Sequence, residues 1–127
     1  MKKNLIQKEE KILRREWKNI IFNLVFATLT VILPILFYKN ILLTTLLLFV
    51  LVIVALIKWN SKLTIAIFIF GAFWGPVSEI LCVYFGVWRY SEVNFYNIPL
   101  WLFIVWGNAA AFLYQTALEF KKLGIRR

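Results

Sequence analysis

One acidic residue stands inside a long apolar stretch of this sequence, and it is the residue most able to do chemistry. Glu79 is the only charged residue between Lys62 and Arg89. An ionised carboxylate inside a membrane costs at least ~2.5 kcal/mol, so we expect it to be protonated, hydrogen-bonded or in contact with cavity water. An intramembrane acid is by default a functional candidate. We therefore predict Glu79 as the catalytic residue, with a structural hydrogen bond between helices as the alternative.

Aromatic and amide side chains follow Glu79 at spacings that bring several of them to its depth. At ~1.5 Å per residue, Trp106 and Asn108 lie about 10 to 14 Å along their helix, a depth similar to that of the acid. The predicted substrate-binding residues are Trp88, Tyr90, Trp101, Trp106, Asn108 and Gln115. For Trp88 and Tyr96 the alternative is an aromatic belt at the headgroup boundary.

Small residues around the acid predict how its helix packs. Gly71, Gly75 and Glu79 are spaced by four, so they share one helix face on which another helix can approach closely. Pro76 lacks an N–H, which predicts a kink three residues before the acid and a small polar cavity, or a structural bend alone. The predicted helix-packing residues are Gly71, Gly75, Pro76, Gly86 and Gly107.

The elements that position these residues are membrane spans. The chain has 127 residues, of which 62% are hydrophobic, and its apolar runs are each long enough to cross a ~30 Å hydrocarbon core. We predict an all-α integral membrane protein with four transmembrane helices in one domain, 20–118. The helices are predicted at about 20–38, 41–57, 63–86 and 99–118. A tail, 119–127, follows them.

Charge distribution predicts the orientation of the chain. Residues 1–19 combine seven Lys or Arg with apolar residues at helical spacing, which is typical of a basic amphipathic helix on a membrane surface, or of a charged lead-in. Thirteen of the fifteen Lys and Arg fall in this segment, the loop 58–62 and the tail. By the positive-inside rule both termini are cytoplasmic, in a plasma membrane. Because these charges lie at the termini and in loops, we expect membrane lipids rather than nucleic acid as partners.

Composition also excludes several kinds of site. The sequence has no histidine, which removes haem ligation by His, Ser-His-Asp chemistry and nearly all zinc sites. The single Cys82 allows no internal disulfide and is expected to be a buried thiol. We therefore predict no metal and no cofactor.

The order of motifs from Glu79 onwards resembles a known family. The acid is followed by Gly86-Val87-Trp88-Arg89-Tyr90, then Ile98-Pro99-Leu100 and Trp106. Over about residues 75–107 this resembles the integral-membrane carotenoid-biosynthesis proteins, of the bisanhydrobacterioruberin hydratase and lycopene cyclase domain type. The resemblance implies that Glu79 protonates or hydrates an isoprenoid double bond, with aromatic rings stabilising a carbocation.

The resemblance also has limits that bear on assembly. Trp101 and Leu102 occupy the place where the cyclase domain carries paired acids. Because the chain is much shorter than the carotenoid proteins, the resemblance implies a half-unit that needs a homo-oligomer or a membrane partner.

Three functions follow as hypotheses. The first is a protein that binds or modifies a lipidic or isoprenoid substrate at Glu79. The second is a non-catalytic membrane scaffold or accessory subunit whose buried polar groups specify helix pairing. The third is a small proton- or cation-coupled transporter acting as a dimer, which the strong charge asymmetry disfavours because a dual-topology pair would need both orientations.

Overall fold

Four α-helices form the computed structural model, which describes residues 2–124. The helices are α1 (Lys2–Phe37), α2 (Ile41–Trp59), α3 (Lys62–Tyr84) and α4 (Leu102–Lys122). The prediction of an all-α protein is confirmed for the described residues. Three of the helices, α1 to α3, are long and apolar enough to cross a membrane, which indicates a membrane location. The last three residues of the predicted tail, 125–127, lie outside the described part of the chain.

The first helix differs from its prediction. A surface helix ending at residue 19 and a separate span from residue 20 were expected, but α1 continues through this boundary without a break. At ~1.5 Å per residue its 36 residues extend over about 54 Å. The reason is local, because residues 14–24, RREWKNIIFNL, contain neither proline nor glycine to interrupt the backbone hydrogen bonds.

Side-chain caps account for the short connections between the first three helices. The side chain of Asn40 accepts a hydrogen bond from the backbone N–H of Leu43 at 3.1 Å, and α2 begins there. Asn60 adopts a left-handed conformation, with φ at 48°, where α2 ends. Ser61 then accepts from the N–H of Thr64 at 3.2 Å and begins α3. Each turn therefore reverses the chain within a few residues.

The last helix lies against all three others. Its most extensive contacts are with α3, and it also packs on α1 and α2. Its buried face carries polar residues, which distinguishes it from the nearly pure hydrocarbon surface of α2. The buried polar residues of α4 are Asn108, Gln115 and Glu119. These polar side chains thus face protein rather than lipid.

An apolar cluster closes one end of the bundle, beneath the connection between α3 and α4. Ile98 and Leu48 are fully buried there, beside Leu102 and Trp101. The connection folds back on itself, since the N–H of Ile98 donates to the carbonyl of Phe95. This packing fixes the loop that carries Trp88 and Tyr90.

Candidate functional site

Three aromatic side chains donate hydrogen bonds to the carboxylate of Glu79. The indole Nε1 of Trp88 and the hydroxyl of Tyr90 both donate to Oε2, each at 2.8 Å. The indole Nε1 of Trp106 donates to Oε1 at 3.3 Å. Glu79 is only 7% exposed, so the predicted burial of this acid is confirmed. We call Glu79, Trp88, Tyr90 and Trp106 the Glu79 cluster.

A glycine at the end of α3 brings the loop back over the acid. Gly86 has φ at +77°, and its N–H donates to the carbonyl of Val83 while that of Val87 donates to Cys82. This pair of bonds is a Schellman cap, which ends a helix and turns the chain sharply. A Cβ added at Gly86 would meet no atom within 4 Å among the described residues, so the packing role predicted for it has no close contact behind it. The glycine is needed for its conformation.

The other predicted packing residues do lie between α3 and α4. The indole of Trp106 packs directly on the backbone of Gly75, where any Cβ would overlap the ring. A Cβ at Gly71 would come within 2.6 Å of Ala110, and one at Gly107 would meet the ring of Phe68. These glycines let the two helices approach closely enough for the Trp106 indole to reach Glu79.

Pro76 lies in the same contact region. It is buried inside α3, which continues through it. Because proline has no N–H, the carbonyl of Ala72 loses its usual helical donor. The hydroxyl of Ser78 donates to the carbonyl of Gly75, a bond that does not replace the donor lost at Ala72.

The donor pattern fixes the position of the carboxyl group. Both oxygens of Glu79 lie within hydrogen-bond distance of aromatic donors, two on Oε2 and one on Oε1. Burial, and then the hydrogen bond to this carboxylate, raise the pKa of the Tyr90 phenol in the connecting loop well above its ordinary value. Tyr90 therefore remains a hydrogen-bond donor across the physiological range.

A groove lies beside the cluster, and Tyr90 belongs to both. The groove has a volume of about 360 Å³ and lies between the end of α1 and the connecting loop. Its lining is mainly apolar and aromatic: Pro34, Ile35, Tyr38, Tyr90, Ser91, Glu92 and Trp101. The rings of Tyr90 and Trp101 meet edge to face with centroids 6.4 Å apart. We call this space the Tyr90 groove.

Trp101 contributes an unused donor near this groove. The residue is 9% exposed, and its indole Nε1 is buried without a hydrogen-bond partner among residues 2–124. An unpaired buried N–H is unfavourable by about 1–3 kcal/mol. Trp101 contacts the ring of Tyr90, a member of the Glu79 cluster, but forms no hydrogen bond with Glu79 among the described residues.

The two predicted amide residues lie elsewhere. Asn108 donates through Nδ2 to the hydroxyl of Thr30 at 3.1 Å, and Gln115 donates to the hydroxyl of Thr64 at 2.6 Å. They connect α4 to α1 and to α3, so neither is hydrogen-bonded to Glu79. Trp106 lies at the depth of Glu79, as predicted, and donates to it, whereas Asn108 faces α1 and pairs with Thr30.

A second polar cluster was not predicted. Glu16 and Glu119 are 1% and 4% exposed, at the end of the bundle opposite the Glu79 cluster. Lys122 Nζ lies 3.5 Å from Glu119 Oε1 and 4.0 Å from Glu16 Oε2. Asn19 Nδ2 donates to Glu119 Oε1 at 3.3 Å.

A repeated spacing in the sequence was the signal for this second cluster. Glu16, Asn19 and Asn23 fall on one face of α1, at intervals of three and four residues. The seven-residue interval from Asn108 to Gln115 extends by four more residues to Glu119. The charge pattern assigned Glu16 to the membrane surface and Glu119 to the tail, so neither was recognised as a buried residue.

Known proteins give no further guide to the site. No family model, no curated protein and no solved structure matches this chain. Within residues 2–124, no group of three acidic or thiol side chains is placed to hold a metal ion. The geometry of the two clusters is therefore the basis for inferring what the chain does.

Proposed function

We propose that this protein is a four-span membrane protein that binds a lipidic or isoprenoid molecule in the Tyr90 groove, beside the Glu79 cluster. The observation that carries the proposal is the double role of Tyr90. Its ring lines the mainly apolar groove, and its hydroxyl donates to the buried carboxylate at 2.8 Å. A ligand in the groove would lie against a side chain whose position the acid determines.

The chemistry of the groove favours a hydrocarbon ligand with a polar end. Apolar and aromatic walls suit an isoprenoid chain, and burial of each CH₂ contributes about 0.8 kcal/mol. The indole N–H of Trp101 is buried beside the groove without a partner among residues 2–124, and a small shift of the ring would let it donate to an oxygen of the ligand. The resemblance of residues 75–107 to carotenoid-biosynthesis proteins supports the same class of ligand.

Modification of the ligand would place Tyr90 between the acid and the substrate. Glu79 itself does not line the groove, and its oxygens accept three hydrogen bonds. A proton delivered to a double bond would start on a protonated Glu79 and pass through Tyr90, whose hydroxyl gives its own proton to the substrate as it takes up the proton of Glu79. The aromatic faces of Tyr90 and Trp101 would stabilise positive charge developing on the substrate.

Membrane placement is part of the proposal. The α4 helix forms the fourth span, with its polar residues facing protein. The first half of α1, which carries most of the basic residues, lies at the membrane surface or extends out of the membrane. The concentration of Lys and Arg at one end supports cytoplasmic termini in a plasma membrane. A homo-oligomer or a membrane partner is also proposed, as the resemblance implies.

Photocrosslinking tests ligand binding. The purified protein in nanodiscs would be labelled with a diazirine-bearing polyisoprenyl alcohol, and the labelled peptides would be mapped by mass spectrometry. We expect saturable labelling of residues around the groove, reduced severalfold by Ile35→Trp, which fills it. Ile69→Trp is the matched control, since Ile35 and Ile69 are 64% and 60% exposed on different helices. Equal labelling of both variants would contradict the proposal.

Lipid extracts separate binding from modification. In a strain whose lipid profile changes when the protein is deleted, Glu79→Gln and Tyr90→Phe should reproduce the deletion profile if the protein is an enzyme. An unchanged profile, together with retained crosslinking, would exclude the catalytic role and leave binding.

The accessory-subunit hypothesis has its own support. The buried amides pair within the chain, as Asn108 with Thr30 and Gln115 with Thr64, which is how polar residues specify helix pairing. If this is the function, Glu79→Gln and Asn108→Ala would preserve the lipid profile but disrupt co-purification of a partner.

A further inference from the structure

A polar cavity at the opposite end of the bundle is independent of the groove. It has a volume of about 140 Å³ and lies where the start of the bundle-forming part of α1 meets the ends of α2 and α4. Its lining residues are Asn19, Asn23, Lys58, Trp59, Gln115, Glu119 and Lys122. We call it the Glu119 cavity. Its polar walls contrast with the hydrocarbon surface of the neighbouring helices.

Negative charge in and beside this cavity is incompletely matched. Glu119 lines the cavity and Glu16 lies next to it, and each has its Oε2 atom buried without a hydrogen-bond donor among residues 2–124. Two cations approach them. Lys122 is half-exposed, and Arg15 Nε, 3.8 Å from Glu16, belongs to a side chain that is 75% exposed. Exposed partners such as these stabilise a buried carboxylate only weakly.

One amide of the cavity presents an acceptor. A carboxylate can only accept, so Asn19 must direct its NH₂ group towards Glu119 and keep its carbonyl oxygen for another donor. Asn23 is already paired, because its Oδ1 accepts from the indole of Trp59 at 3.0 Å and its Nδ2 donates to the hydroxyl of Thr116 at 3.4 Å. The acceptors of Glu119 and Asn19 therefore suit a compact donor with several N–H groups.

A primary ammonium group meets this requirement. It carries three N–H donors and one positive charge, which suit the carboxylate of Glu119, after a small rotation that brings Oε2 to the cavity, and the carbonyl oxygen of Asn19. A trimethylated ammonium has the same charge but no N–H, so it would leave both oxygens unpaired.

The position of the cavity identifies the source of that ammonium group. Trp59 stands at its wall, as tryptophan does at membrane interfaces, and the exposed side chains of Lys58 and Lys122 flank it. A lysine beside an ammonium site is suited to bind the phosphate of the same molecule. We propose that the Glu119 cavity binds the headgroup of an aminophospholipid such as phosphatidylethanolamine, with the ammonium on Glu119 and the phosphate on the flanking lysines.

Competition between headgroups tests this site. The protein would be equilibrated with equal amounts of phosphatidylethanolamine and phosphatidylcholine of identical acyl chains, and retained lipids would be counted by native mass spectrometry. We expect roughly tenfold preference for the ethanolamine lipid, because hydrogen bonds to a buried charge distinguish the two heads. Successive N-methylation of the head should reduce retention stepwise.

Variants locate the preference. Glu119→Gln should remove most of it, whereas Glu10→Gln, the same change on an exposed part of α1, should leave it intact. If Glu119→Gln does not fold, the N-methylation series on the unaltered protein still decides. Equal retention of the two lipids, or equal loss in both variants, would overturn the proposal. Displacement of the lipid by millimolar free ethanolamine, without retention of phospholipid, would overturn the lipid assignment. None of these outcomes depends on the Tyr90 groove.

Discussion

The two ends of the bundle bury glutamates in opposite ways. At one end Glu79 accepts three hydrogen bonds from aromatic donors of its own chain. At the other end Glu16 and Glu119 each retain a buried oxygen with no donor among residues 2–124. A satisfied acid holds other side chains in place, whereas an unsatisfied one favours a ligand that supplies the missing donor. The difference separates a positioning site from a binding site.

The contact between Gly75 and Trp106 is the most sensitive point of this comparison. Gly75→Leu should displace the indole and separate α3 from α4, with a loss of ~3 kcal/mol or more in the free energy of unfolding. Thermal unfolding in detergent measures it. Ala66→Leu, an exposed change on the same helix, should be nearly neutral. Equal stability of the two variants would show that Trp106 does not pack on Gly75.

Removing the charge at each end should have unequal effects on folding. Glu79→Gln presents an NH₂ group to aromatic donors and should destabilise the protein by about 2 kcal/mol. Glu119→Gln should cost clearly less, since it removes a buried carboxylate that is only partly paired. Chemical denaturation in one detergent, with Glu10→Gln as reference, compares them. A larger loss for Glu119→Gln would invert the distinction between the two ends.

A single donor to Glu79 should contribute a smaller amount. Trp88→Phe keeps a ring but removes the N–H that Oε2 accepts, while Tyr90 still donates to the same oxygen. We expect a loss of about 1 kcal/mol. Trp74→Phe is the control, because Trp74 is 54% exposed, compared with 44% for Trp88, and forms no side-chain hydrogen bond within the described chain.

The smallest expected change in stability comes from ionisation of Tyr90 and is confined to alkaline pH. The folded state raises the pKa of Tyr90, by burial and by the hydrogen bond to Glu79, so the unfolded chain loses this proton first. The stabilisation is complete below the ordinary tyrosine pKa of about 10 and declines as the pH rises above it. Unfolding midpoints from pH 8 to 11 should fall more in the unaltered protein than in Tyr90→Phe. Parallel curves would contradict the coupling.

Local patterns were sufficient for much of this structure. The start of α2 at residue 41 follows from Asn40, a strong capping residue after a short break in the apolar run. The burial of Glu79 and its approach to Trp106 follow from the Gly71, Gly75 spacing and from depth along antiparallel helices. These features depend on periodicity of 3.6 residues, which a sequence displays directly.

Contacts between distant segments could not be predicted in the same way. The return of Trp88 and Tyr90 to Glu79 depends on the left-handed backbone of Gly86, and a glycine alone does not indicate whether it packs or turns. The neighbouring positions of Glu16 and Glu119 join the two ends of the sequence. Charged residues near the termini are equally compatible with an exposed surface and with a buried pair. Only the packing of α1 on α4 shows that Glu16 and Glu119 are buried.

The polar face of α4 has a consequence for biogenesis. A helix carrying Asn108, Gln115 and Glu119 enters a bilayer less readily than α2 or α3, since unpaired polar groups are unfavourable in hydrocarbon. In the four-span arrangement, its stable insertion would depend on partners already in the membrane, namely Thr30 of α1 and Thr64 of α3. Membrane insertion would then proceed in two stages: α1, α2 and α3 would insert independently, and α4 would insert afterwards by packing against them.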